Sequence, residues 1–214
     1  MRRLSRFGRL GLMSDVNGTL TLAALGSPAM KSIVLLIAAL TLAAPAHAQS
    51  DLEIGFAGAL RGCEEWILNP ASWVQGTGPF VATIGLGDRM GLVDQVDKAT
   101  LPPKELRLGN RYWRINSSQG AGYILVVSDQ LPMCHITGGG NTDLQPTVEA
   151  VIASADFRRR WEPVADLSKG DLASTQFRNR EVLSLSIAIS RAKSPGLRLD
   201  RVQVIATATY KPEK

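Results

Sequence analysis

The sequence predicts an α+β fold, an antiparallel sheet of about five to six strands with helices packed mainly on one face. Three observations predict it. The stretch from Tyr112 to Asp143 holds three short strand-like runs separated by turns rich in glycine and proline. The last third alternates apolar and polar residues, through Leu183, Leu185, Ile187 and Ile189 and again through Val202, Val204, Ala206, Ala208 and Tyr210. Stripes of helical period precede the first strand group and separate it from the second.

Taken in order, the chain opens with a leader. Met30-Lys31 is a short basic start, Ser32 to Ala44 is an apolar core, and Ala46-His47-Ala48 is a small-x-small cleavage pattern. The expectation is a signal peptide over residues 30–48, cut after Ala48, with residues 1–29 an over-extended N-terminus. Residues 49–214 then form a single exported α+β domain, periplasmic or secreted. The apolar run falls short of the roughly 20 residues that span a bilayer, so no stable membrane span is expected after cleavage.

The leader also distorts the charge. The chain has 24 Lys and Arg against 19 Asp and Glu. Setting aside Arg2, Arg3, Arg6, Arg9, Lys31 and Asp15 leaves 19 and 18. The basic balance therefore belongs to the leader, and nucleic acid is not an expected partner.

Ser50 and Glu53 fit a capping box at the start of a helix. Leu52, Phe56, Leu60, Cys63 and Ile67 share one face of it, and Asn69-Pro70 ends it. A one-turn helix follows, from Pro70 to Gln75. Residues 77–110 read as an irregular connection, with Phe80 to Ile84 as a short strand and Met90, Leu92, Val93 and Val96 as a weak helix.

Tyr112–Ile115, Tyr123–Val127 and Met133–Thr137 read as consecutive antiparallel strands. Gly138-Gly139-Gly140 frees the chain to turn, and Asp143 caps the next helix with Pro146 in its first turn. Leu144, Val148, Val151, Ile152 and Ala155 form its apolar stripe. A further short helix runs from Asp156 through Phe157 and Trp161 to a stop at Pro163. Arg158-Arg159-Arg160 reads as its solvated face, paired with Glu149, Asp156 and Glu162. Gln176 to Arg180 reads as a shorter edge strand before the final hairpin, whose loop contains Ser194-Pro195-Gly196.

Two cysteines, Cys63 and Cys134, remain after the leader. In an oxidising compartment such a pair reads as a disulfide. It would close a loop of about 70 residues, worth roughly 4 kcal/mol on the chain-entropy model. Because strand neighbours face opposite ways, the bond would turn His135 away from the first helix.

The chemistry on offer is sparse. No P-loop, dinucleotide fingerprint or nucleophile elbow occurs, and no ligand spacing points to a metal or other cofactor. Glu64-Glu65 face different directions on a helix, which does not indicate a glycosidase pair. The favoured expectation is a non-catalytic bacterial periplasmic protein. It binds a small ligand or an envelope partner through a face that carries Tyr112, Arg114 and His135, with Ser128 and Asp129 nearby. One alternative is a hydrolase of unfamiliar type that uses Ser128, Asp129 and His135. Another is an inhibitor or immunity protein.

Overall fold

The capping box opens the first helix. In the computed structural model, which describes residues 50–194 and 202–211, Ser50 Oγ accepts the Glu53 N–H at 3.2 Å. Helix α1 then runs Asp51–Leu68 and closes on Asn69. Two short helices follow, α2 at Ala71–Val74 and α3 at Gly78–Ile84. The leader, its cleavage site after Ala48 and the Pro195-Gly196 pair lie outside the described residues.

The sheet has eight strands, which corrects the expectation of five to six. They are β1 Met90–Val93, β2 Asn110–Asn116, β3 Ala121–Ser128, β4 Met133–Gly140, β5 Trp161–Asp166, β6 Leu172–Asn179, β7 Leu185–Ala192 and β8 Val202–Tyr210. Helices α4, Gln145–Ala153, and α5, Ala155–Arg160, separate the first four from the last four. The spatial order is β1-β2-β3-β4-β8-β7-β6-β5, with every neighbouring pair antiparallel. Two four-stranded meanders thus meet at β4 and β8. Sheet, not helix, dominates the architecture.

The extra strands hid behind punctuation residues. Gly87 precedes β1 and Gly91 interrupts it, so its apolar residues looked like a weak helix rather than a four-residue edge strand. Pro163 looked like a helix stop, but it sits in β5, an edge strand where its missing N–H is tolerated. The segment expected as an edge strand at Gln176 lies in β6, which is flanked by β5 and β7. Conversely, Phe80 to Ile84 belongs to α3, which starts at Gly78-Pro79 and ends at Gly85 in the left-handed conformation, φ 71°.

One face of the sheet carries the core. Trp113, Ile115, Leu125, Val127, Cys134, Ile136, Ala206, Ile187 and Ile189 pack there with Phe56, Leu60, Trp66, Val148 and Phe157 from the helices. Gly62 permits a close approach of α1, because a Cβ there would stand 2.9 Å from Leu125. The Cys63 and Cys134 sulfurs meet at disulfide distance, with Cα atoms 5.5 Å apart, and tie α1 to β4. Tyr123 Oη donates to Leu52 O at 3.1 Å and holds the first turn of α1 to β3.

The triple arginine splits its work. Arg160 pairs with Glu64 of α1 and with Asp156, and Arg159 pairs with Asp156. Glu149 and Glu162 instead pair with Arg191 and Arg178, across other parts of the sheet. Burial holds the Glu64 carboxyl above its usual range even with the Arg160 guanidinium beside it. Leu144, not Asp143 as expected, is the N-cap of α4, while Asp143 Oδ1 accepts the Gln145 N–H at 2.9 Å.

Candidate functional site

Strand register assigns each expected site residue to a face. Residues paired across antiparallel strands point the same way. Tyr112, Val126, His135 and Thr207 form one row across β2, β3, β4 and β8. Arg114, Ile124, Thr137 and Ile205 form the next, and Asn116, Gly122, Gly139 and Val202 the one after. All three rows lie on the face opposite α1. The structure therefore brings Tyr112, Arg114 and His135 onto one face, in adjacent rows.

The third row explains a cleft. Gly122 and Gly139 are directly paired, so the far face loses two side chains near the end where β3 begins and β4 finishes. A cavity of about 350 Å3 opens there, lined by Thr100, Arg114, Asn116, Ile124, Thr137 and Val202 among others. That volume falls at the lower end of the range for small-molecule sites. Thr100 comes from the connection 94–109, which thus reaches the far face between β1 and β2.

Among the described residues that line the cleft, Arg114 is the only charged one. Its guanidinium has no ion pair or hydrogen bond within the described chain. Thr137 is 1% exposed, and its Oγ1 is buried without a hydrogen-bond partner. A buried hydroxyl left unpaired is costly and marks a place where another group is expected. Sequence reasoning missed Thr137, Asn116, Gln119 and Thr100. Strand register could have found Asn116 and Thr137, because the Gly122–Gly139 pairing that opens the cleft is a cross-strand contact, whereas Gln119 and Thr100 lie in a turn and a connection outside the paired strands.

His135 is 3% exposed, and its Nδ1 lies 2.8 Å from Thr207 Oγ1. Burial lowers its pKa to about 4, so the ring is neutral at pH 7. That value lies well below the range suited to a general base. His135 does not line the cleft.

Ser128 and Asp129 sit at the end of β3, in a turn. Ser128 Oγ donates to Leu108 O and accepts the Gln130 and Leu131 N–H groups, at 3.1 and 2.8 Å. Asp129 faces Arg111 at 3.6 Å. Both line a separate cavity of about 230 Å3 with Trp66 and Trp73, whose rings stack at 4.4 Å. The hydrogen bonds of Ser128, Asp129 and His135 all go to other groups. Tyr112 is half-buried and lines a further cavity with Leu92 and Arg111.

Among the described residues, no group of three or more His, Cys, Asp or Glu side chains is placed to hold a metal ion. No described helix is long and apolar enough to cross a membrane. Compared with protein-family models, curated proteins and solved structures, the chain matches none of them.

Proposed function

We propose that the chain is an exported, non-catalytic domain that binds a small ligand in the far-face cleft. One observation carries the reading: a cavity of about 350 Å3 whose lining includes the exposed Arg114, without an ion pair in the described chain, and Thr137, whose buried hydroxyl has no hydrogen-bond partner. Small-ligand sites have this composition, a few placed polar groups against apolar walls, here Ile124 and Val202. The concave shape favours a small molecule over an envelope protein, which would need a broad contact surface. The hydrolase alternative finds less support, since the Ser128 hydroxyl is engaged in a turn and His135 in a bond to Thr207. The signal-peptide pattern before Gln49 supports export.

A thermal-shift screen of the purified protein against a panel of small metabolites tests this reading. A ligand of the cleft raises Tm, and the shift grows with the logarithm of ligand concentration above its Kd. Ile124→Trp, which fills the cleft from its floor, abolishes the shift while the protein keeps a cooperative transition. A shift that survives Ile124→Trp would place the ligand elsewhere. Turnover of an ester or amide substrate that is lost in Ser128→Ala would establish the hydrolase instead.

A further inference from the structure

Resting on the ligand-binding reading of the cleft, we infer that its ligand is a small organic carboxylate with a short, branched apolar body. The lining supplies one cation and, among the described residues, no carboxylate. A cationic ligand would meet Arg114 with nothing to offset the repulsion. An anion meets a planar fork of N–H donors suited to bidentate capture of a carboxylate.

The other polar groups fit the same ligand. The row Arg114–Ile124–Thr137 spans three strands, so Arg114 and Thr137 stand about 10 Å apart at their Cα atoms, twice the strand spacing of roughly 4.8 Å. The Arg114 side chain is long enough to close part of that distance. A carboxylate held there accepts from the guanidinium with one or both oxygens, and the Thr137 hydroxyl lies buried at the cleft wall without a partner. Asn116 and Gln119, one on β2 and one on the following turn, also line the cleft, and their amides make no hydrogen bond within the described chain.

The apolar part follows from the walls. Ile124 and Val202 are branched side chains at the cleft. They suit a short branched alkyl group. A nucleotide is disfavoured, because a single guanidinium is a small complement for two or three phosphates in a cavity of this volume.

Isothermal titration with three near-isosteric probes tests the inference: isovalerate, isovaleramide and isoamylamine at pH 7. The expected order is carboxylate tightest, amide at least about tenfold weaker, amine weakest, since one charge-assisted contact carries about that factor. Arg114→Gln brings isovalerate down to the level of the amide, and Arg114→Lys recovers part of the difference. Arg111→Gln removes an exposed arginine that pairs with Asp129 outside the cleft, and leaves all three affinities unchanged. An amide that binds as tightly as the carboxylate overturns the inference, as does carboxylate binding that survives Arg114→Gln. Both of those results leave the ligand-binding reading standing. Failure of all three probes to bind also overturns the inference, and the metabolite panel with Ile124→Trp then judges the ligand-binding reading by itself.

Discussion

His135 Nδ1 lies 2.8 Å from Thr207 Oγ1, across the β4–β8 seam where the two meanders of the sheet join. Burial lowers the imidazole pKa from 6.5 to about 4. The unfolded chain therefore takes up a proton near pH 6.5 that the folded chain refuses until about pH 4. The contribution to stability is complete above pH 6.5 and is lost as pH falls toward 4, to a limit of about 3 kcal/mol. Urea unfolding at pH 7 and pH 4.5 measures it. His135→Gln, which keeps a polar partner for Thr207, should lose markedly less stability over that interval than the wild type. Equal losses would show that His135 is protonated in the fold without cost.

The Cys63–Cys134 link closes a loop of 71 residues between α1 and β4. Reduction should lower unfolding free energy by about 4 kcal/mol, because the unfolded chain regains the entropy of that loop. Denaturant midpoints with and without reductant give the difference. A midpoint unmoved by reductant, or two titratable thiols in the denatured, unreduced protein, would contradict the link.

Gly138 lies on the core face, opposite the far-face residues Thr137 and Gly139. A Cβ at Gly138 would stand 2.5 Å from Val204 Cγ1 and 2.7 Å from the Tyr123 ring. That ring is pinned by its hydroxyl bond to Leu52 O. Gly138→Ala should therefore destabilise by about 1–3 kcal/mol, the usual cost of overpacking. Tyr123→Phe in the same background should recover part of it by freeing the ring. A neutral Gly138→Ala would mean that β4 and β8 can separate at no cost.

Export rests on the leader pattern from Met30 to Ala48. The mature protein should begin at Gln49 and appear in the exported fraction. Intact-mass measurement of that fraction checks it. A full-length chain retained in the cytoplasm would remove the oxidising compartment on which the disulfide depends.

The sequence made the centre of the fold legible and left the edges obscure. The capping box at Ser50, the stripe from Phe56 to Ile67 and the runs at Tyr112, Tyr123 and Met133 are local patterns with one physical reading, and each stands in the structure as expected. β1 and β5 were illegible because an edge strand is bonded on one side only. Its apolar pattern is therefore short, and glycine or proline inside it carries little penalty. The facing of His135 away from α1 followed from the pairing of its neighbour Cys134. Arg114 was legible as a candidate because it is a cation within the aromatic run Tyr112–Ile115. The cleft beneath it was not, since two glycines 17 positions apart meet only once β3 and β4 are in register.

The proposed ligand sits in the cleft lined by Arg114 and Thr137. The most direct measurement is an amide NMR titration with the ligand that gives the largest thermal shift. The largest shift changes should fall on Asn116, Gly122, Ile124, Thr137 and Gly139, with Gly109, Asp129 and Gln130 unmoved. Changes centred on Trp73, Ser128 and Asp129, with the resonances around Gly122 and Gly139 undisturbed, would contradict it.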